Sequence, residues 1–316
     1  LWFRLSQLDT CQSNDEYQTC EDFRIGSKKN RIRKSGTAAG GGTIMSVKPF
    51  FMSNKLANAF WENEFVPDCP IYDMHGHMGE HNAITFPLAA TENMAAHLRR
   101  IHGKMVFCHH WALFTPEFTN ADCYEIAKRY SDIFRIYIAV NPHYPDLMQQ
   151  DMAMYDTWKP LAVGFKILAD YHLVKVSDPR YAPVLERADD EKALVLFHTW
   201  GGSLFDGPDE LRKVVKKYPN IRYVIGHSFS GMWDDAIQLV KDYPENVYLE
   251  LTSIPGRAGV IETLVHGAGS ERILFGTDLP WFDEYQAVGG IVGAKITEED
   301  MHNILHRNAQ RLIPGF

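Results

Sequence analysis

The chain is short of several things, and each shortage removes a class of function. Basic residues do not dominate: 32 Lys and Arg stand against 40 Asp and Glu, a formal charge of −8. A nucleic-acid surface would need a basic stripe. No apolar run approaches the ~20 residues of a membrane-spanning helix. Cysteine is scarce and odd in number, with Cys11, Cys20, Cys69, Cys108 and Cys123 and no Cys-x-x-Cys pair. That fits reduced thiols in the cytoplasm better than a disulfide framework or a structural zinc knot; Cys108, in an apolar stretch, reads as a small core residue. With 45% apolar and 23% charged residues, the composition is that of a soluble globular protein.

Residues 1–44 also lack what a fold needs. They are polar, carry the basic cluster KKNRIRK at 28–34, and end in the low-complexity stretch SGTAAGGGT, which offers no packing surface. They hold neither the apolar core of a secretory signal nor the acid-free composition of a mitochondrial one. The expectation is a disordered extension, or translated sequence upstream of the true start, followed by a folded domain over 45–316.

From Met45 onward, short apolar runs alternate with amphipathic stretches. The runs are PIYDMH from Pro70, KMVFCHH from Lys104, FRIYIAV from Phe134, LAVGFKIL from Leu161, ALVLFH from Ala193, IRYVIGH from Ile221, VYLELT from Val247 and RILFGTD from Arg272. Each is nearly continuously apolar, as parallel strands covered on both faces are. Between them, Asn120 to Tyr130 opens on an N-cap candidate, and Asp209 to Lys217 puts Leu211, Val214 and Val215 on one helical face. Strand starts recur about every 30 residues, the length of one βα unit. Eight such units predict an α/β fold closed as a (β/α)8 barrel of the TIM type.

Barrel enzymes keep their chemistry at the carboxyl ends of the strands, and this chain places polar residues there. In YDMHGHMGEH, His75 and His77 are two apart, so both project to one side of a strand. His198 ends the fifth run, His227 the sixth and Asp278 the eighth. Each is a candidate metal ligand or proton carrier. Three imidazoles and a carboxylate suit a borderline ion such as Zn²⁺, with Zn–N distances near ~2.0–2.1 Å, and a position left to water makes such a site catalytic.

HGH at 75–77, His198, GHS at 226–228, GTD at 276–278 and the closing ILHRNAQRL at 304–312 together resemble the amidohydrolase superfamily. More narrowly they resemble the amidohydrolase-related branch that includes aminocarboxymuconate-semialdehyde decarboxylase, over residues 70–313. The resemblance implies one divalent ion, Zn²⁺ or Mn²⁺, held by His75, His77, His198 and Asp278, with His227 as an acid/base touching substrate or water.

Lys166, alone in the apolar strand LAVGFKIL, needs polar company. In dinuclear members of the superfamily a carboxylated lysine at this strand bridges two metals; here the expectation is a lysine that orients an anionic substrate or pairs with a mouth carboxylate, Glu250 being the natural partner. Of His109 and His110 only one can face inward, and both read as structural. Asp73 shares the parity of His75 and reads as a hydrogen-bonding support. Trp200, Phe229, Trp233, Trp281 and Phe282 are candidates for an aromatic pocket wall, with Arg257 as an anion anchor.

A bound divalent ion lowers the pKa of its water from about 15.7 toward about 7. Asp278 could take the proton from that water and His227 polarise a carbonyl or serve the leaving group. The first expectation is therefore hydrolysis of an amide, ester or lactone in a small anionic substrate. Its rival on the same residues is non-oxidative decarboxylation of an unsaturated or aromatic carboxylate; a barrel retained only for binding is a third reading, whose mark would be a missing ligand. An exposed barrel helix could also pair copies into a homo-oligomer.

Overall fold

The structure, a computed structural model, describes residues 54–63, 66, 68–80 and 89–316. The expected boundary at 44/45 lies outside the described residues. Eight strands form one parallel sheet in sequential order: β1 (Ile71–Met78), β2 (Gly103–His109), β3 (Phe134–Val140), β4 (Ala162–Ile167), β5 (Leu194–Trp200), β6 (Arg222–Ser230), β7 (Val247–Glu250) and β8 (Ile273–Leu274). The sheet comes round on itself: Met74 N donates to Phe275 O at 2.9 Å, His77 N to Leu279 O at 2.7 Å and Asp278 N to His75 O at 2.7 Å. This is a nearly closed (β/α)8 barrel, as the spacing of the apolar runs predicts.

A helix follows every strand. Thr91–Arg100 follows β1, Asn120–Arg129 follows β2, Pro145–Trp158 follows β3 and Ala182–Asp190 follows β4. Pro208–Lys217, Trp233–Asp242, Val260–Ala268 and Glu284–Gly293 follow the remaining four strands in turn. The helix at Pro208–Lys217 turns Leu211, Val214 and Val215 inward as its periodicity requires. Two apolar layers result. One lies between sheet and helices and includes Phe107, Ile138, Phe165 and Phe197. The other fills the barrel near the strands' amino ends, with Tyr72, Val106, Leu194 and Phe316. Among the described residues, no helix is long and apolar enough to cross a membrane.

Two irregularities aim the polar side chains at the carboxyl end. The β1–β2 register shifts between Asp73 and Gly76, and the β5–β6 register between His198 and Trp200. Bulges of this kind re-aim a strand next to a functional site.

Candidate metal centre at the barrel mouth

His75 and His77 reach the mouth because Gly76 between them has no side chain: a Cβ there would lie 2.0 Å from Met105 Sδ. Their Nε2 atoms each stand 3.0 Å from Asp278 Oδ1. One donor atom from each of these three residues falls within 4.8 Å of the others. Asp278 is held there by a left-handed backbone (φ 62°) and by its N–H on His75 O.

The far sides of the rings are occupied. His75 Nδ1 meets Glu250 Oε2 at 2.9 Å, and His198 Nδ1 meets Asp206 Oδ2 at 2.9 Å. Glu250 Oε2 also accepts from His227 N at 3.1 Å, and Oε1 accepts from Thr252 N at 2.5 Å. Gly276 leaves room for this carboxylate, since a Cβ there would lie 2.1 Å from Glu250 Oε1. Asp73 performs the expected supporting role: Oδ1 accepts from His75 N and Thr277 N, and Oδ2 accepts from the Thr277 hydroxyl at 2.5 Å. One buried aspartate thus joins β1 to the segment after β8.

These contacts set the charges. Burial and the Lys166 amine hold His75 well below the usual imidazole range. Burial works against a charge on His77 too, but the Cys108 sulfur and the Asp278 carboxylate outweigh it and raise His77 to about 9. Burial alone would raise Asp278; the neighbouring His75 and His77 imidazoles overcome it and hold the carboxyl well below its ordinary value. The centre therefore carries a proton on His77 facing an ionised Asp278. A divalent cation fits the same place: two nitrogens and an oxygen converge, and the Nδ1 atoms of His75 and His198 are fixed by carboxylates, which leaves Nε2 as the donor. His227 stays neutral, lowered to about 3 by burial, with Nε2 3.9 Å from Asp278 Oδ2.

All five expected mouth residues line one cavity of about 420 Å³. His198 lies outside the 4.8 Å group, its ring centroid 4.9 Å from that of His227. Lys166 is fully buried and lines the cavity, but its partner differs from expectation: Nζ donates to His75 Nε2 at 2.6 Å, because Glu250 is already committed to His75 Nδ1 and the His227 and Thr252 amides. Trp200, Trp281 and Phe282 form walls as expected. Phe229 is buried in the outer core instead. Arg257 corrects another expectation: it is exposed, lies 5.8 Å over the Trp233 ring and borders a separate surface groove, so neither residue reaches the cavity. Of the two histidines ending β2, His110 faces the cavity, while His109 stacks on Phe118 with centroids 3.5 Å apart. Sequence reasoning missed Phe114 and Asp206, which sit in turns, and Tyr171, which sits in the one-turn helix Ala169–His172, too short to show a period. Only the Asp206-Gly-Pro stretch before a helix carried a signal.

The fold is shared with solved structures. An uncharacterized TIM-barrel protein from Bordetella bronchiseptica has 20% identity and a TM-score of 0.60, with 77% of this chain and 98% of the other covered. A 2,6-dihydroxybenzoate decarboxylase from Rhizobium has 16% identity and a TM-score of 0.57, covering 77% and 98%. A 5-carboxyvanillate decarboxylase from Novosphingobium aromaticivorans, complexed with manganese and 4-hydroxy-3-methoxy-5-nitrobenzoic acid, has 9% identity and a TM-score of 0.59, covering 78% and 96%. No curated protein sequence matches the chain. The family model described as amidohydrolase matches residues 72–315, from the strand that bears the histidine pair to the closing helix, and the chain belongs to that family.

Proposed function

We propose that the protein is a metal-dependent, non-oxidative decarboxylase of a small aromatic or unsaturated carboxylate. The observation that carries this reading is the shape of the cavity. Its about 420 Å³ are within the ~300–1,000 Å³ of small-molecule sites. Phe114, Tyr171, Trp200 and Trp281 wall it, and the donor residues and Lys166 border the same space. A flat, anionic molecule matches that division. The resemblance in fold to decarboxylases of ring carboxylates, one of them holding manganese, agrees.

In this reading His75 and His77 through Nε2, Asp278 through Oδ1, and His198 hold one divalent ion of the manganese or zinc kind. The ion, when bound, supplies positive charge for the substrate's oxygens. Lys166, freed from His75 when that nitrogen becomes a ligand, offers its amine to a second substrate oxygen. Trp200 and Trp281 keep the ring in place and water away. As the carbon–carboxylate bond breaks, its electron pair stays on carbon and CO₂ leaves. His227 and Asp278 relay the proton that this carbon takes up.

Hydrolysis is the second reading, favoured by the match to the amidohydrolase family model; there Asp278 would take the proton from the attacking water. The test is turnover of the manganese- or zinc-loaded protein on hydroxybenzoates, lactones and amides in isotopically labelled water. Release of CO₂ with deuterium at the vacated carbon supports the proposal. Heavy oxygen in a product carboxylate, with no CO₂ from any acid tried, replaces it with hydrolysis.

A further inference from the structure

A second set of donor side chains meets away from the mouth. Cys69 lies two residues before β1 and is fully buried. His302 and His306 face it from the closing helical segment, Glu298–His302, Asn303–Arg307 and Asn308–Leu312. One sulfur or ring-nitrogen atom from each of the three lies within 4.8 Å of the others. Asn308 Nδ2 fixes this segment to the start of β8, donating to Ser270 O at 2.8 Å and Ile273 O at 2.6 Å. The group therefore lies at the strands' amino ends.

The local geometry suits ligation. His306 Nδ1 faces Gln310 Oε1 at 3.0 Å, which fixes its ring and leaves Nε2 as the donor, as the outer partner of a ligating histidine does. That Nε2 is 2.9 Å from His302 Nδ1. Between the two histidines the helix widens to a π turn over Asn303–Arg307, and such turns inside α-helices recur at functional sites. Cys69 Sγ makes no hydrogen bond among the described residues, although two imidazoles surround it. A tetrahedral ion with bonds of about 2.0–2.1 Å to nitrogen and about 2.3 Å to sulfur sets its donors roughly 3.3–3.6 Å apart; the three donors lie within 4.8 Å, and the nitrogen pair at 2.9 Å would open slightly around the ion.

We propose that Cys69, His302 and His306 form a zinc site that ties the closing helix to the entry of β1. The Asp68 carboxylate, adjacent to Cys69 in the chain, exposed, and close enough to act on the His302 imidazole, is a candidate for the fourth position, which water could otherwise fill. A thiolate with two imidazoles selects zinc over manganese, which prefers oxygen ligands. None of the three borders the mouth cavity, so the site is closed and structural rather than catalytic. It stands independently of the decarboxylase reading.

Cobalt titration of the metal-stripped full chain tests it. The wild type is expected to develop a thiolate-to-cobalt charge-transfer band with tetrahedral ligand-field bands. Both should survive Cys108→Ser, which removes the sulfur near the mouth, and His77→Asn, which disables the mouth donors. The charge-transfer band should vanish in Cys69→Ser, and adding Cys69→Ser to His77→Asn should abolish the ligand-field bands and the zinc-dependent rise in unfolding temperature that His77→Asn alone retains. Should Cys69→Ser not fold, His302→Gln, at a half-buried position, reads out the same loss of one equivalent of cobalt. Absence of the band in the wild type overturns the proposal, as does a band that Cys69→Ser or His302→Gln leaves intact.

Discussion

The mouth and the floor of the barrel each gather two histidines and a third donor, yet their surroundings are opposite. At the mouth, His75 and His198 lean on the buried carboxylates Glu250 and Asp206, and the donors face a cavity. At the floor, His302 and His306 lean on each other and on Gln310, against the fully buried Cys69. The backbone differs as well. His227, Ser228 and Phe229 take positive φ at the carboxyl end of β6, and Ser253 and Asp278 do so after β7 and β8, each at a cost of about 1–3 kcal/mol; His302 and Arg307 remain plainly helical at φ −62°. Positive φ thus recurs on the backbone beside the mouth cavity, while the helical segment from His302 to Arg307 carries none. On the two proposals above, similar donors would serve chemistry at one end and closure at the other.

The sharpest way to break this contrast is Asp278→Asn. It removes the negative charge that both Nε2 atoms face and the carboxylate's capacity to take up a proton, so kcat should fall about 10²–10⁴-fold. Steady-state kinetics on the metal-loaded variant checks this, and a variant within threefold of wild type would remove Asp278 from the reaction. Next in size are the carboxylates behind the rings. Glu250→Gln and Asp206→Asn should each weaken metal binding at the mouth about 10–100-fold, read by competition with a chromogenic chelator. Unchanged affinity in both would mean the backing carboxylates only fill space. Smaller again is Trp200→Ala. Loss of about 0.5–1.5 kcal/mol of ring stacking should raise KM roughly 2- to 12-fold and leave kcat in place; a fall in kcat alone would make the wall part of the chemistry.

The mouth was more legible in the sequence than the floor. Strands covered on both faces must be continuously apolar, so every one of the eight runs contains a strand and the polar residues at their ends stand out. His75, His77, His198, His227 and Asp278 were visible for that reason. What lies behind them was not, because turns and a single helical turn have no period: Asp206 and Phe114 reach the site through turns, and Tyr171 from the short helix Ala169–His172. Arg257 failed because the segment after β7 carries it outward over Trp233. The helix after β2 shows the same limit on a small scale. Asn120 was the expected cap, but Thr119 forms the capping box with Asp122, while the Asn120 side chain turns inward to Ala139 and Asp151. The floor group was hidden because Cys69 and the two histidines are separated by more than two hundred residues, and only the closed barrel brings them together.

The smallest expected effect separates the mouth from a neighbouring ion pair through pH. Among the described residues two histidines are raised to about 9: His77, and His97, where burial is outweighed by Asp283 at 3.2 Å and Glu284 at 2.8 Å. An unfolded histidine titrates near ~6.5. Between these values the folded chain binds more protons than the unfolded one, so both groups add stability below about pH 6.5 and lose it as pH rises through about 9. In metal-free protein both contribute to the alkaline decline. A saturating divalent ion replaces the proton at His77, so only the share from His97 remains, and His97→Gln should flatten that. Urea unfolding across this range, with and without metal, measures the two shares. If metal leaves the alkaline slope unchanged while His97→Gln abolishes it, the mouth proton was never coupled to folding, and the cation-for-proton exchange at His75, His77 and Asp278 falls with it.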